Sequence, residues 1–467
     1  MRSFNKIEEN DISFFTQVCG EGNVLIGDEI SEDFGRDEMT PESMRVMPEV
    51  LVTVDQANQV SRLLEYATQK RIPVTPRGQG TGLVMGSVAV HGGLMLDLSK
   101  MDGILELDRE NLTLTVEPGA LIMDIRAFAE AHDLFYPPMP GEQSASIGGN
   151  ISTNAGGMKA VKYGVTRDYV RGLEVVLPTG EILQLGGKVA KNSSGYSLKD
   201  LIIGSEGTLA IVTKAILRLV PNPACTVSLL VPYPDALSAI RAVPILLQGK
   251  IMPVAVEFME GDVIVAAERY LGKKFPDHSA EAYLLLSLDG RSKDDVERDY
   301  EHIATTCLHT GAIDVFISDT QERQDAIWSA RGAFLEGIKA MTTEMDECDV
   351  VVPISKIVEF LEEKQALEQQ SSLRIRSFAH AGDGNLHVYI LKDDIDDATW
   401  EKQLHLVMSA LYRKARDLGG KVSGEHGIGF MKREFLEQSA GAKAVSLMRG
   451  IKRVFDPEGI LNPGKVC

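Results

Sequence analysis

Four glycine-rich segments crowd the stretch between residues 76 and 212, and they limit the folds open to this chain more than any other feature. The first, Pro76-Arg77-Gly78-Gln79-Gly80-Thr81-Gly82, follows a β-rich run, and its alternate glycines let consecutive backbone N–H groups curl into an anion-binding nest. The second is Pro140-Gly141-Glu142-Gln143-Ser144-Ala145-Ser146-Ile147-Gly148-Gly149-Asn150. The third is Ser152-Thr153-Asn154-Ala155-Gly156-Gly157 with Lys162-Tyr163-Gly164, and the fourth is Ile203-Gly204-Ser205-Glu206-Gly207-Thr208-Leu209-Ala210-Ile211. Glycines beside small hydroxyl and amide residues suit backbone that runs close to an extended polar ligand such as a dinucleotide. The first loop is not Gly-x-Gly-x-x-Gly, because position 83 is Leu, and it lacks the Lys-Ser or Lys-Thr of a phosphate-binding P-loop. The expected binding mode is therefore not that of a Rossmann fold.

At 467 residues the chain is too long for one core and should hold two or three domains. A net charge of −19 excludes a polyanionic nucleic acid as the natural partner, and an anionic substrate must be drawn in by a local basic cluster. No apolar run reaches the length needed to span a bilayer, and Met1–Asn10 lacks the apolar stretch of a secretory signal. The five cysteines include no Cys-x-x-Cys pair, which argues against a disulfide scaffold or a cysteine-ligated cluster and points to a reduced, cytoplasmic setting.

From Val50 the pattern alternates β-rich runs with amphipathic helices. Val50–Val54 reads as a strand, and Asp55 is the expected N-cap of a helix through Val60, Leu63, Leu64 and Ala67. Further strands are expected at 72–75, 93–98, 112–116, 173–177 and 217–220, and Pro221 with Pro223 marks a boundary. Beyond it, strands at 227–231, 282–288 and 313–317 and a long helix through Val296, Tyr300, Ile303 and Ala304 form β–α–β runs with one helical face. That pattern predicts an α+β domain with an antiparallel sheet. A polar loop and helices ending at Phe455 close the chain.

The second constellation is His380-Ala381-Gly382-Asp383-Gly384-Asn385-Leu386-His387, read with Gly424-Glu425-His426-Gly427. Asp383-Gly384 is a strong two-residue hairpin signal, which would pair His380 with His387. Directly opposed residues have Cβ atoms about 4.5–5.5 Å apart, so both imidazoles could reach one ion. Glu425 offers a third ligand and His426 an unligated base, the arrangement of a catalytic divalent-metal site with an open position.

Together these motifs resemble the vanillyl-alcohol-oxidase-like FAD proteins. The likeness lies in Pro-Arg-Gly-x-Gly-Thr-Gly, Ser-Ile-Gly-Gly-Asn…Asn-Ala-Gly-Gly and Gly-Ser-Glu-Gly-Thr-Leu-Ala-Ile. His-x-Gly-Asp-Gly-Asn-Leu-His, Gly-Glu-His-Gly-Ile-Gly and the closing Asp456–Lys465 resemble the branch holding D-lactate dehydrogenases, D-2-hydroxyglutarate dehydrogenases and the flavin subunit of glycolate oxidase.

The resemblance spans roughly residues 40 to 467. It implies an α+β fold: an N-terminal extension (1–40), an FAD-binding domain of two α+β subdomains (41–222), a substrate or cap domain (223–420), and a C-terminal segment (421–467) that completes the active site and packs on the FAD domain. It places Pro76, Arg77, Gly78, Gly80, Thr81 and Gly82 at the pyrophosphate. Pro140, Gly141, Ser146, Gly148, Gly149 and Asn150 would lie along the flavin, with Thr153, Gly156, Gly157, Tyr163 and Gly164 close by. Glu206, Gly207 and Ile211 would sit toward the adenine and ribose, and Asn462 also on the cofactor. Members that attach FAD covalently use a histidine where this chain has Thr81, so non-covalent FAD is expected.

By the same resemblance His380, His387 and Glu425 hold a divalent metal, His426 is the general base and Arg331 clamps the substrate carboxylate. The ligand chemistry suits Zn, Fe, Mn or Co. The hydroxyglutarate enzymes add a lysine where this chain has Glu347 or Cys348, and a threonine where it has Leu335, so a small monocarboxylate fits better. The implied activity is metal-assisted oxidation of D-lactate, or a close 2-hydroxy acid, to the 2-oxo acid, with hydride passing to flavin N5. Electrons would leave to an electron-transferring flavoprotein, an iron–sulfur subunit or a quinone. Competing readings are a glycolate oxidase subunit, a D-2-hydroxyglutarate dehydrogenase, an oxidase using O₂, and an electron-relay subunit without its own substrate.

Overall fold

Several strands of this chain are apolar without alternation, the pattern of sheets covered on both faces. All seven residues of Asn385–Leu391 are buried, as are the first seven of Ala282–Gly290. The computed structural model describes residues 3–467; the first two residues of the expected N-terminal extension lie outside it. The chain divides into two compact units. One comprises Met1–Ala155, Val165–Asn222 and Glu425–Cys467, and the other Gly156–Gly164 and Pro223–Gly424.

The first unit contains two principal sheets. In the four-stranded one, Val24–Ile26 runs antiparallel to Val50–Thr53, which is parallel to Leu94–Asp97, itself parallel to Val74–Arg77. The helix Ala57–Lys70 buries Val60, Leu63, Leu64 and Ala67. Its N-cap is Gln56 rather than Asp55, because the Gln59 side chain reaches back to accept from the N–H groups of Asp55 and Gln56 at 2.8 and 3.2 Å. Ser61 and Thr68 on this helix donate to the carbonyls of Gly180 and Pro178, both at 2.5 Å, which ties it to the second sheet. That sheet is antiparallel, in the order Ile104–Asp108, Thr113–Val116, Ile211–Arg218, Val170–Val176, Ile182–Gly186. The N-terminal residues are built into this unit, since Phe15 of the helix Glu9–Cys19 is fully buried in its core. The C-terminal segment returns to it as well: Leu461 bridges to Val74, and the Asn462 N–H donates to the Val74 carbonyl at 2.7 Å.

The second unit is a seven-stranded antiparallel sheet in the order Phe316–Ser318, Cys225–Tyr233, Ala282–Gly290, Ala255–Glu260, Arg374–His380, Asn385–Leu391, Met345–Val351. Helices lie against both faces. Ala236–Leu247, Lys293–His309, Ile357–Ser371 and Asp397–Asp417 cover one, and Gly261–Leu271, Gln321–Gly332 and Phe334–Lys339 the other. The strand expected at 313–317 is shorter and later: only Phe316–Ser318 pairs, and Ile313 stays 60% exposed while its N–H donates to the Pro232 carbonyl. The antiparallel sheet of this unit, with the antiparallel and mixed sheets of the first and the helices packed on them, makes the chain α+β.

Candidate active site

In the first unit the candidate site is built from backbone. Gly80 has φ +74°, in the left-handed region, and a Cβ there would overlap the Arg77 guanidinium. A Cβ on Gly78 would overlap the Ser146 hydroxyl, so the first two glycine loops meet at this point. Ser146 caps the helix Ile147–Thr153, its Oγ accepting from the Gly149 N–H. Gly148 packs where a Cβ would strike Pro118, and Thr153 bonds back to the Gly149 carbonyl at 3.3 Å. Two buried polar atoms of this region, Asn150 Nδ2 and Ser205 Oγ, have no hydrogen-bond partner within the chain. Buried polar groups are almost always satisfied, so orphaned donors beside a glycine cradle fit an extended polar cofactor. Thr81 and Gly82 continue the first loop, and Pro140 is buried, whereas Gly141 has open space around its Cβ position.

Other residues expected at the cofactor spend their side chains elsewhere. Arg77 is buried and donates to the carbonyls of Arg36 and Asp33 at 2.8 and 2.9 Å, with its guanidinium over the Phe34 ring. It braces the N-terminal segment. Glu206 accepts from the N–H groups of Ile428 and Gly429, each at 2.7 Å. Burial pushes its carboxyl above the ordinary range despite those two bonds. Asn462 Nδ2 donates to the carbonyls of Gly86 and Glu206 at 2.9 and 2.8 Å, so this side chain is an internal clasp. Gly207, at φ +67°, sits where a Cβ would meet the Pro76 ring, and Ile211 belongs to the hydrophobic core. Gly156, Gly157, Tyr163 and Gly164 fall in the second unit, where the Tyr163 hydroxyl donates to Asp289 at 2.5 Å and Lys162 pairs with the same carboxylate.

In the second unit a candidate site is built from side chains on one face of its sheet and a helix against it. The hairpin differs from the expected two-residue turn. Residues 381–384 form a four-residue loop, in which the N–H groups of Asp383 and Gly384 both point to the His380 carbonyl at 3.1 Å. His380 therefore pairs with Asn385, and His387 with Phe378. Only Gly384 takes a positive φ, +89°, so a type I′ turn cannot form at Asp383-Gly384. A register change of two residues preserves which face a side chain occupies, and the two imidazoles remain diagonal neighbours with ring centres 5.2 Å apart.

Each imidazole is backed by a carboxylate. His380 Nδ1 lies 2.8 and 2.9 Å from the two oxygens of Glu257, on the adjacent strand. His387 Nδ1 lies 2.9 Å from Glu347. A carboxylate acceptor puts the hydrogen on Nδ1 and the lone pair on Nε2 of both rings, the tautomer that metal-binding histidines adopt. Glu257 is fully buried and also accepts from Arg331, whose Nε and Nη2 lie 2.8 and 2.7 Å from Oε2. Burial alone would raise its carboxyl, but the neighbouring His380 and Arg331 outweigh that and hold it below the ordinary range. The Arg331 guanidinium stacks 4.4 Å from the centre of the Phe378 ring. Tyr389, on the same face, has its phenol pushed well up by burial and by Glu347.

Asp349, opposite His387 in the register, accepts from Asn385 Nδ2 at 2.7 Å, Ser423 Oγ at 2.7 Å and the Gly424 N–H at 3.1 Å. A Cβ on Gly424 would overlap the Asn385 amide, which explains glycine there. Glu425 and His426 follow directly and are half-buried, with His426 Nε2 3.9 Å from Glu425 Oε1. Sequence reasoning missed the backing role of Glu257, Glu347 and Asp349. The available signal was a carboxylate inside an otherwise apolar strand, as in Ala255-Val256-Glu257-Phe258-Met259, which is costly unless paired.

Residues 48–186 match the family described as FAD binding domain, and residues 222–466 the family described as FAD linked oxidases, C-terminal domain. The chain is 46% identical to the D-lactate dehydrogenase of Anaerostipes hadrus, over 99% of this chain and 98% of that protein. It is 39% identical to the glycolate oxidase subunit GlcD of Bacillus subtilis (strain 168), over 90% and 89%. Its fold matches p-cresol methylhydroxylase with substrate bound at a TM-score of 0.80, covering 99% and 98% of the two chains at 17% identity. The chain belongs to the FAD-linked oxidase family, in the branch of FAD-dependent 2-hydroxy-acid dehydrogenases. It is an oxidoreductase, and FAD is its cofactor. Among the described residues no helix is long and apolar enough to cross a membrane.

Proposed function

We propose that the chain oxidises D-lactate, or a closely related small D-2-hydroxy acid, to the 2-oxo acid, using non-covalent FAD and a divalent cation held by His380, His387 and Glu425. The observation that carries this reading is the pair of carboxylate-backed imidazoles, Glu257–His380 and Glu347–His387, side by side on one sheet face. Glu425 is bonded to Gly424, which Asp349 anchors beside that pair. The substrate assignment draws on the full-length likeness to a D-lactate dehydrogenase.

When bound, FAD supplies a two-electron acceptor and the cation supplies Lewis acidity toward the substrate hydroxyl. Arg331, held on its Nε and Nη2 edge by Glu257, presents Nη1 for a carboxylate oxygen of the substrate. His426 takes the hydroxyl proton on a ring nitrogen, a role worth about 10²–10⁴-fold for a positioned base. Glu347 puts a negative charge next to His387, so a second carboxylate on the substrate would meet repulsion there. Thr81 in the first loop offers no histidine for covalent attachment. All five cysteines are free, and burial pushes the thiols of Cys19 and Cys307 up to about 11. With no thiol cluster to carry electrons onward, the acceptor is a partner protein, most simply an electron-transferring flavoprotein.

Anaerobic flavin absorbance tests this reading. D-lactate should bleach the flavin bands, L-lactate and D-2-hydroxyglutarate should not, and a chelator should prevent bleaching. His426→Ala should keep its FAD yet bleach about 10²–10⁴-fold more slowly. A yellow protein that D-lactate never bleaches would discard the substrate, and full activity in His426→Ala would discard the base.

A further inference from the structure

Glu257 contacts neither substrate nor cofactor in the scheme above, yet it is held from two sides. It is fully buried, its Oε2 takes both Nε and Nη2 of Arg331, and both its oxygens lie within 2.9 Å of His380 Nδ1. Arg331 is itself only 6% exposed and is pressed against Phe378 and Phe334, so its guanidinium has little freedom once Glu257 is in place. Phe378 lies one residue pair from His380 on the same strand face. One oxygen pair thus fixes two side chains assigned to different tasks.

We propose that Glu257 is a positioning residue that couples the two tasks, setting the ring tautomer and orientation of His380 for the cation and the plane of Arg331 for the substrate carboxylate. The inference rests on the assignments of His380 and Arg331 in the proposed function. The physical argument is a count of donors and acceptors. A carboxylate can satisfy Arg331 and the Nδ1 hydrogen of His380 together, because both partners donate. An amide cannot: one face accepts and the other donates. Glu257→Gln keeps size and shape, but if its oxygen serves Arg331 its NH₂ confronts His380 Nδ1. The imidazole must then carry its hydrogen on Nε2, the nitrogen that would face the cation. If the amide is reversed, Arg331 loses its acceptor and the guanidinium is released. Either way one substitution weakens both tasks, whereas removing Arg331 weakens only one.

The test measures Zn²⁺ affinity without substrate, by competition with a chromophoric chelator, alongside steady-state oxidation of D-lactate. Glu257→Gln should weaken Zn²⁺ binding by about 10–100-fold, the usual cost of losing a carboxylate behind a metal-bound histidine. It should also raise KM about tenfold or more, as for a lost charge-assisted contact. Arg331→Met should raise KM but leave Zn²⁺ affinity within about twofold. Glu257→Asp retains the charge but falls one methylene short, so it should give partial loss of both and serves if the amide variant fails to fold. A folded Glu257→Gln protein with Zn²⁺ affinity and KM both unchanged overturns the coupling while leaving the proposed function standing. Wild-type protein that binds no Zn²⁺, or Arg331→Met with normal KM, overturns the functional assignments themselves and the coupling with them.

Discussion

The two units bury polar chemistry by opposite means. The first presents backbone: glycines 78, 80, 148 and 207 each stand where a Cβ would strike a neighbour, and its buried glutamate, Glu206, braces two backbone N–H groups. The second presents side chains: histidines and carboxylates on adjacent strands and an arginine from a helix, with its buried glutamate, Glu257, clamped between Arg331 and His380. The contrast shows in the two carboxyls. Burial wins at Glu206, where only backbone dipoles and more distant lysines oppose it, and the carboxyl is raised. At Glu257 the neighbouring charges win and the carboxyl is lowered. A site made of backbone leaves its carboxyl raised by burial, whereas a site made of side chains holds its carboxyl down with its partners.

The largest effect that would break this contrast comes from the second unit. His387→Ala removes one imidazole and leaves Glu347 without it, so Zn²⁺ affinity should collapse and flavin bleaching by D-lactate should slow by about 10²–10³-fold, several kcal/mol of Lewis-acid assistance. FAD content, read by absorbance per chain, should stay unchanged. Loss of FAD from this variant would show that the two ligands are not held independently. The reciprocal change is Gly80→Ala, which forces a side chain into φ +74° and into the Arg77 guanidinium. A cost of about 1–2 kcal/mol for the left-handed conformation corresponds to roughly five- to thirtyfold weaker FAD. Fluorescence titration of apoprotein should report that loss, while Zn²⁺ affinity stays within about twofold.

How far each unit was legible in the sequence follows from the same contrast. Backbone sites need glycine, and glycine is visible, so the glycine-rich segments themselves could be read from spacing, whereas the meeting of two of them at Gly78 and Ser146 could not. What could not be read was the use of polar side chains beside those glycines. Arg77 and Asn462 look like ligand-binding residues in a string of letters, but their nitrogens donate to main-chain carbonyls tens or hundreds of residues away. The histidine pair was legible because four residues of turn and two strands keep it local. Its register was not, since Asp-Gly signals a two-residue turn and the chain uses a four-residue one. Period-two geometry forgave that error: a shift of two returned both imidazoles to the same face. Glu257 and Glu347 were invisible as His partners because the sheet order that brings their strands together is set by long-range pairing. The fold itself was readable wherever buried strands were continuous, and least readable at the edge strand Phe316–Ser318, where Ile317 is 40% exposed.

A smaller effect probes the backbone brace. Glu206→Gln keeps one acceptor for the Ile428 and Gly429 N–H groups but sets an NH₂ against the other. Leaving a buried donor unmet costs about 1–3 kcal/mol, so the melting temperature should fall by a few degrees. Zn²⁺ binding to the second unit should not change. A melt indistinguishable from wild type would mean that these hydrogen bonds carry no stability.

The subtlest test is one of pH, and it falls on Lys465, the last buried charge of the first unit. Its Nζ donates to the Val88 carbonyl and to Asn462 Oδ1 at 2.7 and 2.9 Å, with 3% of the residue exposed. Burial brings its ammonium down to about 7, against the opposing pull of Glu206 and Asp37. The ordinary lysine value in an unfolded chain is about 10.4. Between those limits the unfolded chain holds a proton that the folded chain has released, so stability rises with pH through the window from about 7 to 10 and is flat below it. The slope has a ceiling of about 1.4 kcal/mol per pH unit, on the order of 2 °C in melting temperature. Lys465→Met removes the titration, so the difference between wild-type and variant melts should grow in favour of the wild type as pH is raised from 7 to 9. Parallel curves would mean that Lys465 keeps its charge in the fold, paired with Glu206, and that the first unit also relies on countercharge.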